Sequence, residues 1–92
     1  MYCYIADGMF MNAKLDNITD KTFPELNSCY NFCANSTVKT VSNLYVKTAS
    51  ASMFDNCKEL TQAWLKIGYG DSNFNKMFNY ATSLADVDIK FI

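Results

Sequence analysis

The chain has 92 residues, half of them hydrophobic and 18% charged, with eight lysines against nine acidic residues and a net charge of −1. That composition describes a single small folded domain and excludes a disordered chain. There is no histidine and no arginine, which removes the commonest general base and metal ligand and the residue best suited to phosphate, guanine and carboxylate recognition.

The start, Met1-Tyr2-Cys3-Tyr4-Ile5-Ala6-Asp7, lacks the basic region and apolar stretch of a secretory signal. Either the protein is not exported by that route or the sequence is a piece of something longer. No apolar run approaches the ~18 residues of a membrane span.

The first predicted unit opens at Met9-Phe10-x-x-Ala13, with Leu15 and Ile18 following. Its strand is weak, centred on Ile18 with Thr19 and Lys21 outward, and Phe23-Pro24-Glu25 marks a turn. The second unit places Phe32, Asn35, Val38 and Val41 in the same slots, which puts Asn35 where the other copies have a small apolar residue. Its strand points Leu44 and Val46 inward and Tyr45 and Lys47 outward. The third is the clearest: Met53-Phe54-Asp55-Asn56-Cys57-Lys58-Glu59-Leu60, then the alternating run Ala63-Trp64-Leu65-Lys66-Ile67. Ala63, Leu65 and Ile67 point in; Trp64 and Lys66 point out. Ser52 and Asp55 have the spacing of a capping box, so the Met-Phe segments are expected to form a short helical turn opposite the strands. Gly68-Tyr69-Gly70-Asp71 is a breaker, and Asp71 or Ser72 starts the next turn. The fourth unit runs Met77-Phe78-x-x-Ala81-x-x-Leu84, then Val87-Asp88-Ile89-Lys90-Phe91, with Val87, Ile89 and Phe91 inward.

The anchors Phe10, Phe32, Phe54 and Phe78 are spaced 22, 22 and 24 residues apart. That step falls in the range of about 20–29 residues occupied by leucine-rich repeats. The expected fold is an α/β repeat: a short solenoid of about three and a half units, with parallel strands on one face and turns or short helices on the other.

The pattern Phe-x-x-Cys/Ala-x-x-Leu-x-x-apolar-x-apolar resembles the BspA-type leucine-rich repeat, whose copies often read Met-Phe-x-x-Cys-x-x-Leu. The best matches are Met53 to Ile67 and Met77 to Phe91; the earlier copies match loosely. Such repeats occur in large bacterial surface proteins, in some protists and in phage proteins. The resemblance implies adhesion or protein recognition in an extracellular, cell-surface or virion setting. Because the motif is one of packing, it implies no catalytic residues and no cofactor.

The four cysteines, Cys3, Cys29, Cys33 and Cys57, permit two disulfides in three pairings. A zinc site would need all four, since no histidine stands in reserve. Free, small, buried thiols are the simpler reading, because Cys57 shares its slot with Ala13 and Ala81. Asp71-Ser72-Asn73-Phe74-Asn75 imitates the first half of a calcium loop, but Lys76 and Thr82 stand where Gly and Glu are required. Asp86 and Asp88 share a strand face without any sign of a substrate pocket. The glycosylation patterns at Asn17 and Asn35 are expected by chance in an asparagine-rich chain.

The candidate site is the outward face of the strands. Tyr45, Trp64 and Asp88 are expected in one column and Lys47, Lys66 and Lys90 in the next. Lysines beside aromatic rings can bind nucleic acid, but the acidic balance and missing arginine argue against it. A protein partner, or a glycan, fits the exposed aromatics. The function expected is therefore a non-enzymatic interaction or adhesion module. The alternative is a structural subunit that assembles end to end, or otherwise self-associates, through Phe91, Ile92 and the open N-terminal repeat.

Overall fold

The computed structural model describes residues 3–68 and 71–92. The chain winds into a parallel β-solenoid of about three turns, and each turn contributes one strand to a single four-stranded sheet in sequential order. The strands are β1 (Asn17–Phe23), β2 (Thr40–Val46), β3 (Gln62–Ile67) and β4 (Asp86–Phe91). Ile18, Val41, Ala63 and Val87 stand side by side, so the strand repeat advances in steps of 23, 22 and 24 residues.

Alternation explains β3 directly. Ala63, Leu65 and Ile67 are buried while Trp64 is exposed and Lys66 half-exposed, as period-two side-chain direction requires. In β2 the inward residues are Val41, Leu44 and Val46. The extra residue between Val41 and Leu44 is absorbed at Asn43, which has φ of 54°, and the pairing with β3 shifts there. Asp20 makes the same left-handed step in β1, with φ of 55°. Asparagine and aspartate tolerate that conformation better than most residues, and Asn43 Nδ2 donates to Asp20 Oδ1 at 2.8 Å.

This bulge overturns one expectation in the first strand. Lys21 pairs with Leu44, so it stands in the column of inward residues, not the outward one. It remains exposed because β1 is an edge strand, with no strand beyond it among the described residues.

No helix forms among the described residues, and therefore none long and apolar enough to cross a membrane. The α part of the expected α/β pattern is replaced by consecutive turns. Each turn segment has two left-handed residues four positions apart: Gly8 and Asn12, Asn31 and Asn35, Ser52 and Asn56, Lys76 and Tyr80. A right-handed helix cannot pass through such residues. Ser52, with φ of 62°, is thus a left-handed corner and caps no helix.

The turn wall is held by a regular ladder of backbone hydrogen bonds. The amides of Gly8, Phe10 and Asn12 donate to the carbonyls of Tyr30, Phe32 and Ala34. Those of Asn31, Cys33 and Asn35 donate to Ala51, Met53 and Asp55, and those of Ser52, Phe54 and Asn56 to Asn75, Met77 and Asn79. Each donor bonds the residue just before its equivalent in the next coil.

The ladder corrects the repeat alignment. Cys33, not Phe32, is the equivalent of Phe10, Phe54 and Phe78, and Phe32 takes the slot of Met9, Met53 and Met77. Ser36 likewise fills the small slot with Ala13, Cys57 and Ala81. It is buried and donates to the Ala13 carbonyl at 2.9 Å, whereas Asn35 is exposed. The phenylalanines still touch in sequence despite the slip, with ring centroids 5.3 Å apart for Phe10–Phe32, 6.4 Å for Phe32–Phe54 and 5.8 Å for Phe54–Phe78.

The core lies between the sheet and the turn wall. Phe32, Phe54, Leu26, Leu44, Met53 and Leu60 are its largest wholly enclosed side chains. Phe10 and Phe78 are half-buried, since each belongs to an end coil with a neighbour on one side only. All four cysteines are free; Cys29, Cys33 and Cys57 are buried and Cys3 half-buried. The turn at Pro24–Glu25 forms as expected. The breaker expected at Gly68–Asp71 falls partly on residues 69–70, outside the described residues.

Candidate functional site

The strands carry five of the six candidate residues on their outward face, but in different columns from those the bare alternation suggests. Trp64 pairs with Asp88, and Lys66 with Lys90. Tyr45 pairs with Lys66 and with Thr22, so it belongs to the lysine column and not beside Trp64. The cause is the bulge: Trp64 faces the two residues Ser42 and Asn43, which lie between the paired positions Val41 and Leu44. Lys47 lies past the end of β2, beside Gly68 rather than Lys66.

Four of the six residues converge. Trp64, Lys66, Asp88 and Lys90, joined by Asn43 and Leu65, line a shallow depression of about 100 Å³. Trp64 is 43% exposed on a strand whose flanking residues are buried, so its backbone is fixed while its ring meets solvent. Lys90 Nζ lies 3.8 Å from Asp88 Oδ2, with both side chains well exposed. Such a pair contributes little to stability and leaves both groups available to a partner. Lys66 and Lys90 stand next to one another across the strands, which gives one rim of the depression positive charge. The other rim carries the Trp64 ring and the Asn43 amide.

Tyr45 is half-buried and its hydroxyl packs directly over Gly68. It serves as the edge of the face and not its centre. Asn43 is the residue that alternation misses. Its signal in the sequence is the three-residue gap between Val41 and Leu44, which breaks the period of two.

A polar seam borders the depression toward β1. Gln62 Nε2 donates to Ser42 Oγ at 2.8 Å, and Thr40 Oγ1 to Asn17 Oδ1 at 2.6 Å. These bonds tie neighbouring strands together on the solvent side.

Elsewhere the side chains read as structural. Residues 71–74 are irregular and the turn starts at Asn75 rather than at Asp71 or Ser72; Asn75 N–H donates to Asn73 Oδ1 and Ala49 N–H to Ser72 Oγ. Among the described residues no three Cys, Asp or Glu side chains converge. Cys57 Sγ donates to the Cys33 carbonyl at 3.0 Å. Its thiol is pushed well above the ordinary cysteine range by its contact with Cys33 and by burial. Burial likewise raises the Cys29 thiol, against a smaller opposing effect of its bond with Ser50. Thiols so held are protonated and poor nucleophiles.

No protein-family model, no curated protein and no solved structure matches this chain.

Proposed function

We propose that this chain is a non-enzymatic interaction module of the BspA-type leucine-rich-repeat kind, which recognises a protein, or a glycan, on the outward face of its sheet. The observation that carries the reading is the half-exposed Trp64 held beside Lys66, Asp88 and Lys90 on a rigid parallel sheet. An indole anchored on fixed backbone loses little entropy on binding, and aromatic residues flanked by charge dominate recognition surfaces. The resemblance of the repeat implies an extracellular, cell-surface or virion setting for such a module.

The test is a binding screen of the intact chain against arrayed cell-surface proteins and glycans, run beside Trp64→Ala. Saturable binding that falls at least about tenfold in the variant fits a hot-spot tryptophan. Binding that the variant keeps in full overturns the assignment of the face.

A second reading, a structural subunit assembling through its ends, draws on the C-terminal coil. Val87 and Phe91 occupy the column of Ala63 and Ile67, yet are 47% and 69% exposed.

A further inference from the structure

The two ends of the solenoid differ in a way that selects one mode of self-association. At the N-terminal end, Lys21 occupies the inward column, in line with Leu44, Leu65 and Ile89. A second copy stacked head to tail would enclose that ammonium between its own Leu44 and the Ile89 of the copy before it, a costly burial of an unpaired charge. An inward-pointing charge on an edge strand is a recognised block to edge pairing. At the C-terminal end, β4 has no such block.

The free edge of β4 has a defined hydrogen-bonding phase. Asp86 N–H bonds the Thr61 carbonyl and Ile92 N–H the Ile67 carbonyl. Strand alternation therefore directs the even-numbered residues of β4 toward β3. The amides and carbonyls of Val87, Ile89 and Phe91 face outward, with no neighbouring strand among the described residues. Their side chains are on the core face, beside an apolar recess lined by Phe74, Met77 and Phe78.

We propose that two copies of this chain pair tail to tail through β4, antiparallel, about a two-fold axis at Ile89. This proposal rests on the assembly reading above. In that register Ile89 meets Ile89 of the second copy and Val87 meets Phe91, each as a hydrogen-bonded pair that uses the outward amides and carbonyls. Asp88 of each copy then faces Lys90 of the other in the non-hydrogen-bonded positions, where side chains approach most closely. The order Val-Asp-Ile-Lys-Phe is thus complementary to itself when reversed: apolar residues meet apolar on one face, and opposite charges meet on the other. The interface is closed, since the same patch is used by both copies, and it joins the two sheets into one of eight strands.

Sedimentation velocity of the intact chain over a wide concentration range tests this. The expected result is a monomer–dimer equilibrium with no larger species. Lys90→Asp and Asp88→Lys each place like charges opposite one another, and each should raise the dissociation constant at least about tenfold. Both side chains are at least half exposed, so the fold is kept, which circular dichroism checks. Mixing the two variants restores opposite charges at both sites and should restore the dimer. A chain that stays monomeric throughout overturns the proposal, as does a dimer indifferent to both substitutions, or a mixture that fails to recover. Species that keep growing with concentration overturn the two-fold arrangement while leaving end-to-end assembly standing.

Discussion

Asn56 donates its side-chain amide to the Asn35 side-chain oxygen 2.7 Å away, one coil back along the solenoid. The two belong to a row of left-handed residues, Asn12, Asn35, Asn56 and Tyr80, with φ of 61°, 60°, 59° and 59°. Asparagine suits the row twice over, by tolerating the backbone and by bonding its neighbour. Tyr80 does neither. Tyr80→Asn is expected to stabilise the fold by about 0.5–1 kcal/mol, a rise of a few degrees in the thermal midpoint. A midpoint that falls would mean that the ring contributes more than its backbone costs.

Phe54 is wholly enclosed between coils, while Phe78, its stacked partner, has solvent on one side. Phe54→Ala should cost about 3–5 kcal/mol, enough to unfold a domain of this size. Phe78→Ala should cost clearly less. Denaturant unfolding of both variants measures the difference, and equal costs would contradict the end-coil position of Phe78.

The buried thiols predict a pH dependence. Burial raises Cys29 in the folded state, whereas the raised Cys57 is offset by its contact partner Cys33, which is lowered; above about pH 8.5 the unfolded chain therefore releases a proton that the folded chain retains on Cys29. Stability is therefore full below that pH and declines above it, by up to about 1.4 kcal/mol per pH unit for that thiol. Cys29→Ala should flatten the alkaline limb of the stability profile. In the native protein a thiol reagent should reach Cys3 first, and all four should react after unfolding without reductant.

At Gly68 an added Cβ would run into the Tyr45 hydroxyl and lie 3.3 Å from the Lys47 backbone. Gly68→Ala should destabilise by about 1–3 kcal/mol through overpacking. Tyr45→Phe in the same chain removes the nearest atom and should recover part of that loss, as a double-mutant cycle in thermal unfolding would show.

The repeat was legible because enclosed positions in β3 and the third turn segment keep a strict pattern from Met53 to Ile67. The fourth unit follows it as far as Phe91, although β4 is an edge strand with no coil over it among the described residues. The slip at Phe32 was not legible. Phe32 and Cys33 are both wholly buried, so composition does not reveal which occupies the phenylalanine slot; the ladder of backbone bonds does. The outward columns failed for a similar reason. Period two holds only while every residue is extended, and a left-handed Asn43 shifts Tyr45 by one place against β3. Helices were expected from the Ser52–Asp55 spacing, which reports on side chains and not on the left-handed φ of Ser52 itself.

The amide ladder of the turn wall also gives the solenoid an electrical direction. Every one of its bonds points the same way, from an N–H in one coil to a carbonyl in the next, so the peptide dipoles add along the axis as they do in a helix. The carbonyls of Asp7, Met9 and Met11, which precede the ladder donors of the first coil, end the series on one side. The amides of Lys76, Phe78 and Tyr80 end it on the other, and none of these three has a backbone acceptor among the described residues. The C-terminal side is therefore the positive pole of this ladder.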